Sequence, residues 1–359
     1  MAKKSGTQLE RFIMASVHQE VWIGLDVHKT SWHVAIFRAD GQVCTFTTTA
    51  SPDQFVGQLL SWALNIKRVV YEAGPTGFVL ALACRKAGIK VGVIAPSRAP
   101  WPVTRGAKTD RLDCIKLAEF AAKEMFPRYI AIPTIEEESI RSLQRHRFHL
   151  VDKIRKVKSR IKGLLLEFGI PEPKGLAHWS GESVKELDQM QLQPGANETL
   201  HSHLRELKWL LGEMKGVEAS LEQLVKESEL GRRLKYLRSI PGVGHIVSLA
   251  FITEVFRPER FNRADELTSC LGLSPIVAQS GEGKSKASLR QVGQSRLRSL
   301  LVEAAWIWKR HDPGAETFYR LILGRTGCTA KAISALARKL AIVMWRIAVE
   351  MRPYQYSVA

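Results

Sequence analysis

The sequence predicts a three-part chain: an α/β domain built on a mixed sheet, a long-helix coiled-coil region, and a mostly α-helical C-terminal domain. Three observations carry this. Short β-rich segments alternate with helical ones over roughly the first 120 residues. A three-four repeat of apolar residues then runs from Ile140 to Phe168. Beyond 230, helical patterns are broken mainly by Gly/Pro/Ser-rich turns. The predicted divisions are 1–20, an N-terminal tail; 21–132, the α/β domain; 133–230, coiled-coil helices around an irregular insert; and 231–359, the helical domain.

The elements follow in order. VWIGLDVHK at 21–29 is β-rich and largely apolar. SWHVAIFRADG at 31–41 alternates and ends in a turn, and QVCTFTTT at 42–49 makes a third strand. Their tight connections predict an antiparallel meander. SPDQFVGQLLSWAL opens a helix with Ser51 as N-cap and Pro52 at the first helical position. RVVYEAG at 68–74 reads as a buried strand, PTGFVLALACRKAG as a helix, KVGVIAP as another strand, and AKTDRLDCIKLAEF as a further helix. The order β-β-β-α-β-α-β-α, with parallel strands after a meander, resembles the ribonuclease H fold.

Ile140, Leu143, Leu150, Ile154, Val157, Ile161, Leu164 and Phe168 form the seam of the repeat, interrupted by Arg147. A second helix carries Leu204, Leu207, Leu211, Met214, Leu221 and Val225, and the Pro/Gly/Glu-rich 169–197 reads as loop. Together they predict an antiparallel hairpin or a dimerisation arm. LRSIPGVGHIVSLAFITEV at 237–255 then looks like a helix-hairpin-helix unit. Its Gly242 and Gly244 allow a tight turn whose N–H groups could meet a phosphate, or simply make a packing corner.

The chain has 53 Lys/Arg against 35 Asp/Glu, a formal charge of +18, which points to a polyanionic partner. The charge is clustered. Eight Lys/Arg and one acid fall between Arg145 and Lys162, and fourteen against five acids from Leu271 onward. No apolar run is long enough for a membrane span, and the first twenty residues lack a signal-peptide core. The five cysteines are scattered without metal-ligand spacing, which predicts reduced thiols and a cytoplasmic protein.

Against that basic background, Asp110 and Asp113 stand three residues apart on one helix face, where like charges repel. Asp26 interrupts an apolar strand, a costly place for a carboxylate without a partner or a metal. In a ribonuclease H-like sheet the first strand is central and the fourth, ending in Glu72, lies beside it. Asp26, Glu72, Asp110 and Asp113 are therefore predicted to converge. An all-oxygen set suits Mg2+ (or Mn2+), and a pair of such ions serves phosphodiester cleavage.

The motifs GLDVHK, YEAGPTG and KTDRLD, followed by SIPGVG, LGLSP with QSG, and a basic helix, resemble the DEDD transposases of bacterial insertion sequences. These are bridge-RNA-guided serine recombinases with a RuvC-type nuclease domain and a C-terminal transposase domain. The resemblance spans about 21–127 and 237–352. It implies that the four acids are the catalytic metal ligands, that the nucleophile is Ser280, and that the two halves of the site meet between subunits. It also implies donor and target DNA, a structured guide (bridge) RNA, and a homo-oligomer, dimer or tetramer, acting on the bacterial nucleoid.

From the residues alone, Ser280 is one loop serine beside Ser274, Ser285 and Ser288, with Lys284, Lys286 and Arg290 near in sequence to bind a phosphate. On the long helix, Arg147, Lys153, Arg155, Lys156, Lys158 and Arg160 form the candidate nucleic-acid contact. Two other readings fit the composition: a ribonuclease H-like junction resolvase using water, and a non-catalytic nucleic-acid-binding protein.

Overall fold

The computed structural model describes residues 3–96, 110–126, 128–226, 228–278, 286–289 and 295–356. They divide into two compact units, Met1–Ile135 and Glu136–Ala359.

The first unit is a five-stranded mixed sheet. Its strands are β1 (Glu20–Val27), β2 (Ser31–Arg38), β3 (Val43–Thr49), β4 (Asn65–Glu72) and β5 (Val91–Ile94), in the order β3-β2-β1-β4-β5. β2 pairs antiparallel with β1 and β3, while β4 pairs parallel with β1 and β5. The meander and the central first strand are as the sequence predicts. Alternation along β1 divides its side chains between two layers. Val21, Ile23 and Leu25 are fully buried in a core shared with α2 (Pro52–Ser61) and α3 (Val79–Lys86). Trp22, Gly24 and Asp26 take the opposite face, which α4 (Asp110–Ala122) covers. Ser51 is the N-cap residue of α2 and Pro52 follows it, but the serine side chain makes no capping hydrogen bond.

The stretch expected to be an N-terminal tail is helical from Lys3 to Ala15. α1 (Lys3–Ala15) sets Ile13, with Leu9 and Phe12 beside it, onto the α2/α3 layer.

In the second unit, α5 (Ile135–Glu167) and α7 (Pro194–Lys226) pack through their apolar stripes. Leu150, Ile154, Val157, Ile161 and Leu165 meet Leu200, Leu204, Leu207 and Leu210. Leu176 and Leu187, the latter on α6 (Gly181–Gln189), close the same core. The insert is thus partly helical, where the sequence reads as loop. Of the two expectations for the stripe, a hairpin within the chain or a dimerisation arm, the hairpin is seen: Ile161 and Leu165 are wholly buried against α7. The stripe also drifts from the expected positions. Leu165 replaces Leu164 in the core and Phe168 is exposed, because a 3.6-residue period gains on a strict 3.5 repeat.

The remaining helices are α8 (Leu230–Leu237), α9 (His245–Val255), α10 (Ala264–Cys270), α11 (Ser295–His311), α12 (Pro313–Thr326) and α13 (Thr329–Glu350). They share one core with Ile140 and Phe148 of α5 and Leu221 and Val225 of α7. A small antiparallel hairpin, β6 (Pro275–Ala278) and β7 (Lys286–Leu289), lies between α10 and α11 in sequence. The α8–α9 turn has Gly242 at φ 84, and a Cβ there would stand 2.6 Å from the Ala304 carbonyl of α11. Gly242 is therefore a packing corner; Gly244 is exposed. No helix among the described residues is long and apolar enough to cross a membrane.

Candidate active site

The parallel register of β1 and β4 pairs Leu25 with Tyr71, so Asp26 and Glu72 occupy the next step on each strand. Both sit at the strands' C-terminal ends, where open α/β sheets place their ligands. They line one cavity of about 850 Å3 with His28, Lys29, Trp32 and the 74–77 turn. The Asp26 side chain is 27% exposed, and His28 Nε2 donates to its Oδ2 at 3.2 Å.

The third element is α4. On Gly24, two residues before Asp26 on the same face, a Cβ would overlap the Cys114 carbonyl oxygen and stand 2.6 Å from the Ala118 nitrogen. Only glycine lets the helix lie this close. The C-terminal half of α4, through Leu117, Phe120 and Ala121, packs with Val70 and Trp22 nearer the strands' beginnings. Its first turn, with Asp110 and Asp113, is thereby directed toward the strand ends.

Cys114 reports the outcome. Its buried thiol is pushed up to about 11, chiefly by burial, and the negative charges of Asp26 and Asp113 both add to the rise. Carboxylates from β1 and α4 thus act on one buried atom. Asp110 is the first residue of α4, and its side chain lies outside the described residues. Among the described residues, no group of three or more His, Cys, Asp or Glu is spaced to hold a metal ion. The donor chemistry, two carboxylates at the ends of adjacent strands, is of the kind a hard cation takes.

Ser280, Lys284 and Arg290 lie outside the described residues, as does Ser285. The backbone of Lys286 belongs to β7, paired with Ala278. Of the competing serines, Ser274 is engaged: its hydroxyl and that of the fully buried Thr268 are 3.0 Å apart.

The basic face of α5 divides. Lys153, Arg155, Lys156 and Arg160 are exposed, although Arg155 pairs with Asp152 at 3.2 Å and Arg160 with Glu206 at 3.5 Å. Lys158 is half-buried over the Trp179 ring, 4.9 Å from its centroid. Arg147 departs from the expectation. It is 9% exposed and its guanidinium is committed to Glu218 at 2.6 Å, so it joins α5 to α7 instead of facing a nucleic acid. It stands in the apolar stripe, which is why its charge had to be paired inside the chain.

Sequence reasoning assigned no role to Gly24, His28 or the Gly74–Gly77 turn. A glycine inside an apolar strand, two residues before a carboxylate, was the available signal.

A DEDD-type transposase family model of the IS110 group matches residues 23–170, the span holding all four acids. The model described as the transposase IS116/IS110/IS902 family matches residues 234–320. A putative transposase of Sinorhizobium fredii is 28% identical over 363 residues, covering 95% of this chain and 89% of the relative. The transposase for insertion sequence element IS1111A of Coxiella burnetii is 25% identical, covering 93% and 91%. The pilin gene-inverting protein of Moraxella bovis is 24% identical, covering 94% and 99%. Two family models in series and relatives aligned along nearly the whole length lead to one conclusion: the chain is an insertion-sequence transposase, an enzyme that cuts and rejoins DNA, and it is similar to the DEDD transposases of the IS110/IS116 family.

Proposed function

We propose that the chain is a site-specific, RNA-guided recombinase that cuts and rejoins donor and target DNA through Asp26, Glu72, Asp110, Asp113 and Ser280. The observation that carries the reading is the one cavity that Asp26 and Glu72 line at the ends of adjacent parallel strands, with α4 packed closely on the same face of β1. The likeness to a gene-inverting protein supports recombination between defined sites over simple cleavage.

The four acids would hold Mg2+ or Mn2+, which when bound supplies charge to neutralise the phosphate and its leaving oxygen. The chain's own residues do the positioning. His28 holds the Asp26 carboxylate by a hydrogen bond, and Gly24 lets α4 carry Asp110 and Asp113 against the sheet. The cavity beside the 74–77 turn receives the strand. The Ser280 oxygen attacks phosphorus: a serine O–P bond forms, a strand P–O bond breaks, the serine proton passes to solvent, and the leaving strand oxygen takes a proton from solvent to depart as a hydroxyl. Attack by a strand hydroxyl on that phosphoserine reverses the exchange and releases the serine, so no ATP is needed.

The sequence has no zinc-ligand spacing with which to read bases. The exposed cations of α5 suit phosphate contact, which gives affinity without sequence. Base pairing with a guide RNA supplies the choice of site. Two DNA partners call for a dimer or tetramer, assembled through surfaces other than the stripe that α7 covers.

The test is intact-mass analysis of the chain incubated with its element-end DNA and RNA. A DNA adduct on Ser280, absent from Ser280→Ala and from RNase-treated samples, is expected. Strand joining that persists in Ser280→Ala would reject the nucleophile, and site-selective joining after RNase would reject the guide.

A further inference from the structure

Of the motif YEAGPTG, Glu72 enters the proposed chemistry and the turn after it does not. That turn, Gly74 to Gly77, is firmly built. Pro75 fixes its second position, and the Gly77 N–H donates to the Gly74 carbonyl at 3.2 Å. Thr76, at the third position, keeps a negative φ, as a type I turn requires, while Gly77 takes φ 66. Tyr71, fully buried one residue before Glu72, donates its hydroxyl to the Gly77 carbonyl at 3.3 Å and ties the turn to the sheet. Thr76 is thereby held at a set place near Glu72, and both line the cavity of about 850 Å3.

The Thr76 hydroxyl stands out. Its oxygen is buried and has no hydrogen-bond partner. Elsewhere Thr199, Thr253, Thr317 and Thr326 each donate to the carbonyl four residues back, at 2.8–2.9 Å. A buried hydroxyl without a partner lowers stability, and a ligand that supplies one removes that cost.

The cavity has two kinds of lining. Asp26, His28, Lys29 and Glu72 are polar or charged, whereas Trp32, Ala50, Pro52, Val79 and Leu80 are apolar. A cation and a phosphate have no use for the apolar groups. Apolar lining with a few placed polar groups is the chemistry of an organic ligand. In a DNA strand that part is the nucleoside, which is tethered to the very phosphate that the acids would hold. Stacking hides the faces of a base inside a duplex, so a base reaches such a cavity only when turned out of the stack.

We infer that the apolar part of this cavity is a subsite for the nucleoside next to the phosphate that is cut, with its base turned out of the helix and hydrogen-bonded to the Thr76 hydroxyl. It rests on the reading of Asp26 and Glu72 as part of the strand-cutting site. Burial of the base against the apolar lining and the new partner for Thr76 offset the unstacking, and the anchored nucleoside holds its phosphate in place for attack.

The test measures kcat/KM for strand cutting by the full chain with its RNA. The substrates are element-end duplexes, intact or carrying one abasic residue at each position flanking the cut. Thr76→Val should lose about tenfold on intact DNA, the worth of one hydrogen bond, and Thr76→Ser should recover most of that loss. The unfolding midpoint of Thr76→Val should hold or rise, since the variant removes an unpaired buried hydroxyl. At one position the abasic residue should slow the wild type as much as Thr76→Val does, and the two changes together should cost no more than either alone. Wild-type rates in Thr76→Val would overturn the proposal. A deficit that adds to every abasic substitution would do the same, because the hydroxyl would then serve something other than a base. A lowered midpoint with equal loss on all duplexes would make Thr76 a structural residue. Glu72→Gln run alongside separates the two levels: cutting that survives it sinks the acid-site reading, whereas its loss beside a fully active Thr76→Val sinks the subsite alone.

Discussion

A methyl group on Gly24 would collide with two backbone atoms of α4, the Cys114 oxygen and the Ala118 nitrogen. Backbone cannot swing aside as a flexible side chain can, so Gly24→Ala must displace the helix. The cost of such overpacking is about 1–3 kcal/mol. Urea unfolding should show that loss, and strand cleavage should fall further than stability does, because α4 carries two of the four acids. Unchanged unfolding would mean α4 is not seated on this strand. At this scale the sequence was partly legible. Asp26 stood out because a carboxylate in an apolar strand demands an explanation, and Glu72 followed from the strand order. Gly24 and His28 were not read, since their roles depend on which helix crosses the strand and on a hydrogen bond two residues long. Arg147 was misread. Its charge suggested a surface, but its place in the apolar stripe put it inside, against Glu218.

Between elements, α5 and α7 explain each other. The stripe from Leu150 to Leu165 buries itself against Leu200 to Leu210, with the insert closing the far end. Ile161→Ala, at a wholly buried position, should cost about 2–5 kcal/mol in unfolding free energy. Light scattering should show no change in oligomeric mass, since the residue faces its own chain; dissociation of an assembly would restore the dimer-seam reading. The repeat made the two helices legible but left their partner open, because a heptad pattern specifies an apolar stripe and not which chain covers it. α1 was missed although Leu9, Phe12 and Ile13 follow helical spacing, since two lysines and a glycine at its start resemble a tail. α6 was missed for a similar reason. Its Pro/Gly-rich surroundings read as loop, while its real start is Ser180, whose hydroxyl accepts from the Ser183 N–H at 3.2 Å.

Across the whole molecule, the candidate chemistry is divided between two units. The acids belong to the mixed-sheet unit, and the Ser280 segment belongs to the helical one. A net charge of +18 suits a chain that grips phosphates broadly. The fold order was legible because a meander followed by crossovers allows few sheets. The site was legible only as far as strand ends and helix starts, since the distances within it depend on tertiary contact. The proposed function requires that Asp26 and Glu72, with the acids of α4, form a divalent-metal site. Paramagnetic-resonance titration of the full chain with Mn2+ tests it without relying on activity. Wild type should bind the ion, and Asp26→Asn and Glu72→Gln should each weaken binding at least tenfold while thermal unfolding stays within a few degrees. Equal Mn2+ affinity in wild type and both variants would contradict the account.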